Sequence, residues 1–196
     1  MAITGNGLNI AAPEKRHSIA DYLKTGDTYH LMGTGFTTMN ENYGAQEDGK
    51  VYVNDKEQSS TVTSYQREFP YNFDLIKSQA AVMALREVGE RGLTGTDAMF
   101  EYVRVDLFLP QATGNDNTKY YARHFIVSAI PENEEGEGAA TITGSGTLKP
   151  FGSMTEGWFD VTEKSFTEAA TAYASVDSAT PAAAETTPPA QTTPAG

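Results

Sequence analysis

The spacing of apolar and polar positions along this chain is mostly that of β-strands. From Met99 to Leu109 the side chains alternate, with Met99, Val103, Val105, Leu107 and Leu109 on one face and Arg104 and Asp106 on the other. Phe100, Tyr102 and Phe108 give the second face apolar character too. Such a strand is expected to be buried on both sides or to pack against another subunit. Tyr120 to Ile130 reads as a second long strand, ended by Pro131. The Gly, Asn and Asp residues between Gln111 and Thr118 predict a hairpin joining the two. Thr61 to Phe69 and Thr141 to Leu148 have strand composition. So do Trp158 to Val161 and Ser165 to Thr167, which flank a short Thr-Glu-Lys turn. Tyr29 to Met39 and Lys50 to Val53 are shorter candidates.

One stretch has the helical period instead. Leu75, Ala81, Val82, Leu85 and Val88 fall within an arc of roughly 140°. Asp74 is placed to cap its start, and Gly89 or Gly92 its end. The pattern therefore predicts a mainly β chain, an antiparallel β-sandwich or partial barrel with one packed α-helix.

The two ends differ from the middle. Residues 1–16 are Gly- and Asn-rich and then charged, ending Pro13-Glu14-Lys15-Arg16, and read as an N-terminal arm. Residues 17–166 read as the folded domain. From Thr167 to Gly196 Ala and Thr dominate, Pro181, Pro188, Pro189 and Pro194 recur, and Tyr173 and Val176 are the only large apolar residues. That is too little apolar surface to offset the entropy of ordering, so a flexible, disordered C-terminal tail is expected over 167–196.

Composition narrows the function classes. The 196 residues carry a net charge of −12, the wrong sign for gripping a polyanion. With no cysteine, disulfides, thiol catalysis and thiolate zinc sites are excluded. The longest apolar run, Ala80 to Leu85, is far short of the ~18–20 residues that span a bilayer. The N-terminus lacks a basic stretch followed by an apolar core, so neither a membrane span nor a secretory signal is expected.

Candidate chemistry is sparse. His17, His30 and His124 show no metal-ligand spacing. Glu132 to Glu137 holds four glutamates but lacks the alternating ligands of a calcium loop, and reads as a solvated hairpin tip. Gly144-Ser145-Gly146 sits in a strand-like stretch rather than at a nucleophile elbow. Gly33-Thr34-Gly35 and Gly5-Asn6-Gly7 lack the rest of a dinucleotide or phosphate-loop motif. Spacing does not decide whether two acids form a glycosidase-type pair. No catalytic, metal or cofactor site is expected, and the protein is read as a non-enzyme.

Several stretches, taken in order, do carry a resemblance. They begin with Leu31-Met32-Gly33-Thr34-Gly35-Phe36, then Tyr52-Val53-Asn54-Asp55-Lys56, Thr61-Val62-Thr63-Ser64-Tyr65 and Phe69-Pro70-Tyr71. After the helix come Leu93-Thr94-Gly95-Thr96-Asp97-Ala98 and Glu101-Tyr102-Val103-Arg104-Val105-Asp106-Leu107. Ala122-Arg123-His124-Phe125-Ile126-Val127, Gly144-Ser145-Gly146-Thr147-Leu148-Lys149-Pro150 and Glu156-Gly157-Trp158-Phe159-Asp160-Val161-Thr162 complete the set. Their order and spacing, from about residue 29 to 167, resemble the major tail protein (tail tube protein) family of long, flexible-tailed bacteriophages. These are siphoviruses, the type common in phages of Gram-positive bacteria.

The resemblance implies a structural virion protein whose subunits form stacked hexameric rings. The implied partners are other copies of the chain, a tape-measure protein and tail-end proteins, with double-stranded DNA passing through the lumen without adhering. The implied location is the virion tail, after assembly in the host cytoplasm. On that reading Met99–Leu109 and Tyr120–Ile130 contribute to the inner wall. The Asn40–Ser60 loop reaches the next ring through Tyr43, Tyr52 and Val53, and the arm docks through Leu8 and Ile10. Phe100, Tyr102, Phe108, Tyr121 and Phe125 are the other expected subunit contacts. The Ala/Thr/Pro tail is either a solvated extension on the outside or a docking segment for another virion component. The main alternative is a β-sandwich carbohydrate-binding or adhesion module, which the Trp158, Tyr and Phe content favours weakly. A type VI-like secretion tube and a small hydrolase stand behind it.

Overall fold

The computed structural model describes residues 3–5, 8–10, 13–51, 53, 56–57, 59–111 and 118–177, with backbone alone at 3–5, 8–10 and 177. β1 (Ile3–Gly5) and β2 (Leu8–Ile10) form a two-stranded hairpin in the segment expected to be an arm. The main sheet is built from β3 (Ile19–Thr25), β4 (Thr28–Leu31), β5 (Phe36–Met39), β8 (Phe69–Asp74), β9 (Met99–Pro110), β10 (Lys119–Glu135), β11 (Thr143–Pro150), β12 (Thr155–Asp160) and β13 (Ser165–Glu168). Between β5 and β8 the chain runs out and back as β6 (Ala45–Lys50) and β7 (Ser59–Tyr65).

The long strand β10 organises everything. One of its edges pairs with β9, from Tyr120 to Ser128. The other pairs with β12 over Lys119–His124 and then with β11 over Val127–Glu135. Irregularities in register at Tyr120/Tyr121, against β9, and at Pro131/Asn133, against β11, add twist on either side of the stretch between His124 and Val127 where one edge changes partners. The result is a curled antiparallel sheet whose two parts, β4-β3-β9-β10-β12-β13 and β10-β11-β8-β5, enclose the core with one helix, α1 (Ala80–Arg91).

The curl is visible in a single pair of rings. Tyr22 on β3 and Phe159 on β12 are three strands apart, which is ~14 Å in a flat sheet. Their ring centroids are 4.5 Å apart. The cross-strand row between them is Ala20, Val105, Ala122 and Gly157, side chains small enough to let the sheet close. At Gly157 a Cβ would sit 2.2 Å from the Thr167 carbonyl oxygen, so this backbone approach admits glycine alone. β9 is buried on both faces, as its pattern implies. Val103 and Val105 face this small half-barrel, and Tyr102 faces the larger core with Phe69, Phe125 and Leu148.

α1 covers that larger core with Ala81, Val82, Leu85 and Val88; Leu75, read from the sequence as part of the same stripe, lies before the helix and is half-buried against the core. Its C-terminus is Gly92, in the left-handed conformation at φ 62°. Its start differs from expectation. Asp74 closes β8, a turn follows, and the helix begins after Gln79 without a side-chain cap. Thr61–Phe69 is two strands rather than one, broken at residues 66–68. β10 runs past Pro131, so the acidic stretch is largely strand and the turn lies beyond Glu135. β3 carries no clear strand pattern in the sequence, because buried Asp21 interrupts its apolar run.

Folded elements also continue past Phe166. β13 ends at Glu168, and a short helix, α2 (Ala172–Asp177), lays Ala172 and Val176 on Tyr121 and Trp158. The expected disordered tail is thus folded through α2; its remainder, 178–196, lies outside the described residues.

Candidate assembly surface

The β6–β7 hairpin is an arm that stands clear of the body. Every residue of both strands is exposed, and at ~3.3 Å per residue the paired part is about 20 Å long. A two-stranded ribbon of this kind is marginal in water by itself. Its bonds are the ladder plus local side-chain contacts, such as the Ser60 hydroxyl donating to Glu47 at 2.9 Å. Val51, Val53, Val62 and Tyr65 are exposed along it, and Tyr43 is exposed at its base. Apolar side chains on an arm without a core of its own are an exposed patch of the kind that marks interaction sites.

The base of the arm is built more firmly. The β5–β8 ladder continues through Asn40 and the Asn42–Glu68 bridge. The chain then bends at Gly44, φ 57°, where a Cβ would lie 2.2 Å from the Gln66 carbonyl oxygen. Arg67 lies between the Tyr43 and Tyr65 rings, 5.5 and 5.9 Å from their centroids. Beside it, Glu41 is buried against the central strands. It accepts from both Arg123 amino groups at 2.7 and 3.0 Å, with Arg104 Nε at 3.3 Å and Arg67 at 3.6 Å.

These arginines belong to a polar belt across the inner face of the sheet. Asp21, Arg104, Arg123 and Glu156 form one cross-strand row. Asp21 accepts from Arg16 and from the Tyr102 hydroxyl, and lies 3.5 Å from Arg104. Asp106 sits in the next row. Burial raises its carboxyl above the ordinary range, and the Arg123 and Arg104 charges offset this only in part. A raised folded-state value means that folding disfavours the ionised form. The cost is absent below the unfolded value of ~3.9 and grows as pH rises through the folded one. Asp106→Asn is therefore expected to raise the melting temperature at pH 7 and to leave it unchanged near pH 3. Thermal melts across that range check it, and a pH-independent difference would contradict it.

On the opposite face Glu101 ties β3, β4, β9 and β10 together. It accepts from Lys24 and Tyr29, each at 2.7 Å, and lies 3.3 Å from His124. Burial pushes its carboxyl up, but the hydrogen bonds from Lys24, Tyr29 and His124 and the Lys24 charge outweigh this and hold it below the ordinary range. The Phe166 ring stacks on His124, 5.1 Å between centroids. Among the described residues no group of three or more His, Asp or Glu is placed to hold a metal ion.

The residues expected at subunit contacts divide into groups. Tyr43, Val53 and Phe108 are exposed. Tyr102 and Phe125 are fully inside the core and Tyr121 is covered by α2, so these three hold the subunit together and offer nothing to a neighbour. The cause is the curl, which buries both faces of β9 and β10 within one chain. Phe100 is half-buried on the same core. Leu8 and Ile10 lie on β2, where only backbone is described, and Tyr52 lies outside the described residues. Sequence reading missed Glu41, Arg67 and Arg123. The signal that was available is four charged residues, Arg67, Arg104, Asp106 and Arg123, at or beside positions of strand pattern.

Three strands, β4, β5 and β13, end the sheet and pair on one side among the described residues. Free edges of this kind invite pairing with another chain. Exposed Leu31 lies on one of them.

The curled antiparallel sheet with a packed helix matches the fold of a phage tail-tube subunit. The chain resembles the subunit of the SPP1 tail tube, at 14% identity and a TM-score of 0.55, over 74% of this chain and 78% of that one. It also resembles a subunit in the tail of an empty GTA particle, refined with C6 symmetry, at 7% identity and a TM-score of 0.50, over 73% of this chain and 98% of that one. No protein-family model and no curated protein matches it.

Proposed function

We propose that this protein is a structural virion subunit that polymerises as stacked hexameric rings into the tail tube of a long-tailed phage. The observation that carries the reading is the exposed arm, with its valines and tyrosines, on a fold shared with tail-tube subunits. The arm reaches the next ring, and the open edges of β4, β5 and β13 meet neighbours within a ring. Six-fold rings accord with the C6 symmetry of one similar tail. The role is one of shape and charge rather than catalysis. With a net charge of −12, the wall repels the duplex that passes through it, so DNA transits without adhering. The remaining partners are a tape-measure protein in the lumen and proteins that close the tube ends. Assembly takes place in the host cytoplasm, and the finished protein resides in the virion tail.

Negative-stain electron microscopy of the purified chain, with sedimentation across concentration, tests this. Six-fold rings or stacked tubes with a central channel are the expected result. A compact monomer at every concentration that binds glycans would replace the proposal with the carbohydrate-binding module.

A further inference from the structure

We infer that Glu41 is the positioning residue that sets the direction in which the β6–β7 arm leaves the barrel. The inference rests on the arm being the ring-to-ring contact proposed above, and concerns how that contact is aimed. The backbone ties the arm to the body along a single line, through Asn40 N–H to the Pro70 carbonyl, the Asn42–Glu68 bridge and Gln66 N–H to the Gly44 carbonyl, and the β6–β7 ladder is irregular between Gln46 and Glu47. A two-stranded ribbon held along one line keeps freedom to twist and tilt about it. Side chains close that freedom. Glu41 sits on the outgoing strand between the bridge and β5, with its side chain almost wholly buried. It reaches sideways to Arg123 on β10 with two hydrogen bonds, at 2.7 and 3.0 Å, and to Arg104 on β9 at 3.3 Å. A fork-on-carboxylate pair fixes both distance and angle, which a single point charge does not.

The returning strand is tied to the same carboxylate. Arg67 is 3.6 Å from Glu41 at one edge of its guanidinium, while its faces meet Tyr43 and Tyr65. Tyr43 precedes the arm and Tyr65 ends it, so Arg67 links both of its strands to Glu41. The lock is held by charge balance. Among the described residues Arg104 Nε and Nη1 are buried without a hydrogen-bond partner, and Glu41 and Asp21 supply the negative charge beside them. Without Glu41, Arg123 loses two hydrogen bonds, Arg104 loses one of the two carboxylates beside it, and the arm loses its tie to the central strands.

The absence of cysteine makes the test direct, because two introduced thiols are the only labelling sites. In the full chain carrying Thr61→Cys on the arm and Asp97→Cys on the body, nitroxide labels are attached and the distance distribution is measured by pulsed electron resonance. Labelled chain is diluted with unlabelled chain to suppress intermolecular pairs. One narrow distribution is expected for the parent. Glu41→Gln and Arg67→Ala are each expected to broaden it about twofold or more, with the near-ultraviolet signal of Trp158 unchanged. Arg67 lies nearer the surface than Glu41, so its variant decides the question if Glu41→Gln fails to fold. Unchanged width in folded variants overturns the inference. Electron microscopy of the unlabelled parent is scored separately. A parent that forms no tubes defeats the proposed function while the distance measurement still answers for Glu41.

Discussion

Replacing residues 45–65 by a short Gly-Ser bridge is expected to give a folded subunit that forms no tubes. Two features make the deletion tolerable to the fold. Gln66 N–H donates to the Gly44 carbonyl at 3.0 Å, so the cut ends already lie side by side. The excised strands bury nothing in either core cluster, so the melting temperature should stay close to that of the parent. The cost falls on assembly. Val51, Val53, Val62 and Tyr65 are exposed in the free subunit, and burying a side chain of this size is worth ~1.5–3 kcal/mol. Losing even three of them removes roughly 4 kcal/mol per contact, which raises the concentration needed for polymerisation about a thousandfold. Sedimentation and electron microscopy over a wide concentration range read this directly. Normal tubes from the shortened chain would show that the arm is not the ring contact.

Phe69→Ala is expected to have the largest effect on stability. Phe69 is the first residue of β8 and is completely buried between the two parts of the sheet. Its ring lies 4.8 Å from that of Tyr102 and 5.1 Å from that of Phe125, so it joins β8 to β9 and β10 at the centre of the core. Truncation leaves a cavity lined by rings that cannot easily collapse into it, at a cost of ~3–5 kcal/mol. At ~2–4 °C per kcal/mol for a chain of this size, the melting temperature should fall by about 10 °C or more. Thermal and urea melts measure it, and a fall of only a degree or two would place the centre of the core elsewhere.

Local signals in the sequence are legible where one short stretch contains both the cause and the effect. The stripe Ala81, Val82, Leu85 and Val88 defines α1, and Gly92 ends it because a left-handed residue is needed there. The β9–β10 hairpin follows from alternation flanked by turn residues, and β12–β13 from strands around a Thr-Glu-Lys turn. Three departures from the local pattern share one origin. Asp21 gives β3 a polar reading, Pro131 reads as the end of β10, and an Ala/Thr-rich stretch reads as unable to fold. In each case a distant partner overrides the local signal. Arg16, Arg104 and Tyr102 satisfy Asp21, a register irregularity absorbs Pro131, and Tyr121 with Trp158 gives Ala172 and Val176 a surface to bury.

The candidate site divides in the same way. The Asn40–Ser60 stretch is recognisably a long polar excursion with isolated apolar residues, and the structure turns it into an exposed arm. Which aromatic residues face outward was not legible, because the curl buries both faces of β9 and β10. The period of two that reveals a strand does not say which face meets solvent.

The sequence by itself determined α1, the β9–β10 and β12–β13 hairpins, the mainly β antiparallel class, the acidic charge and the resemblance to tail proteins, since all of these are carried by neighbouring residues or by composition. Tertiary structure alone decided that Tyr22 and Phe159 meet across three strands, that Tyr102, Tyr121 and Phe125 are internal, and that Glu41 gathers Arg67, Arg104 and Arg123. Those facts depend on sheet curvature and on contacts between residues far apart in the chain, Tyr22 with Phe159 and Glu41 with Arg123 among them. Closing such contacts is a property of the whole chain, and no local pattern records it.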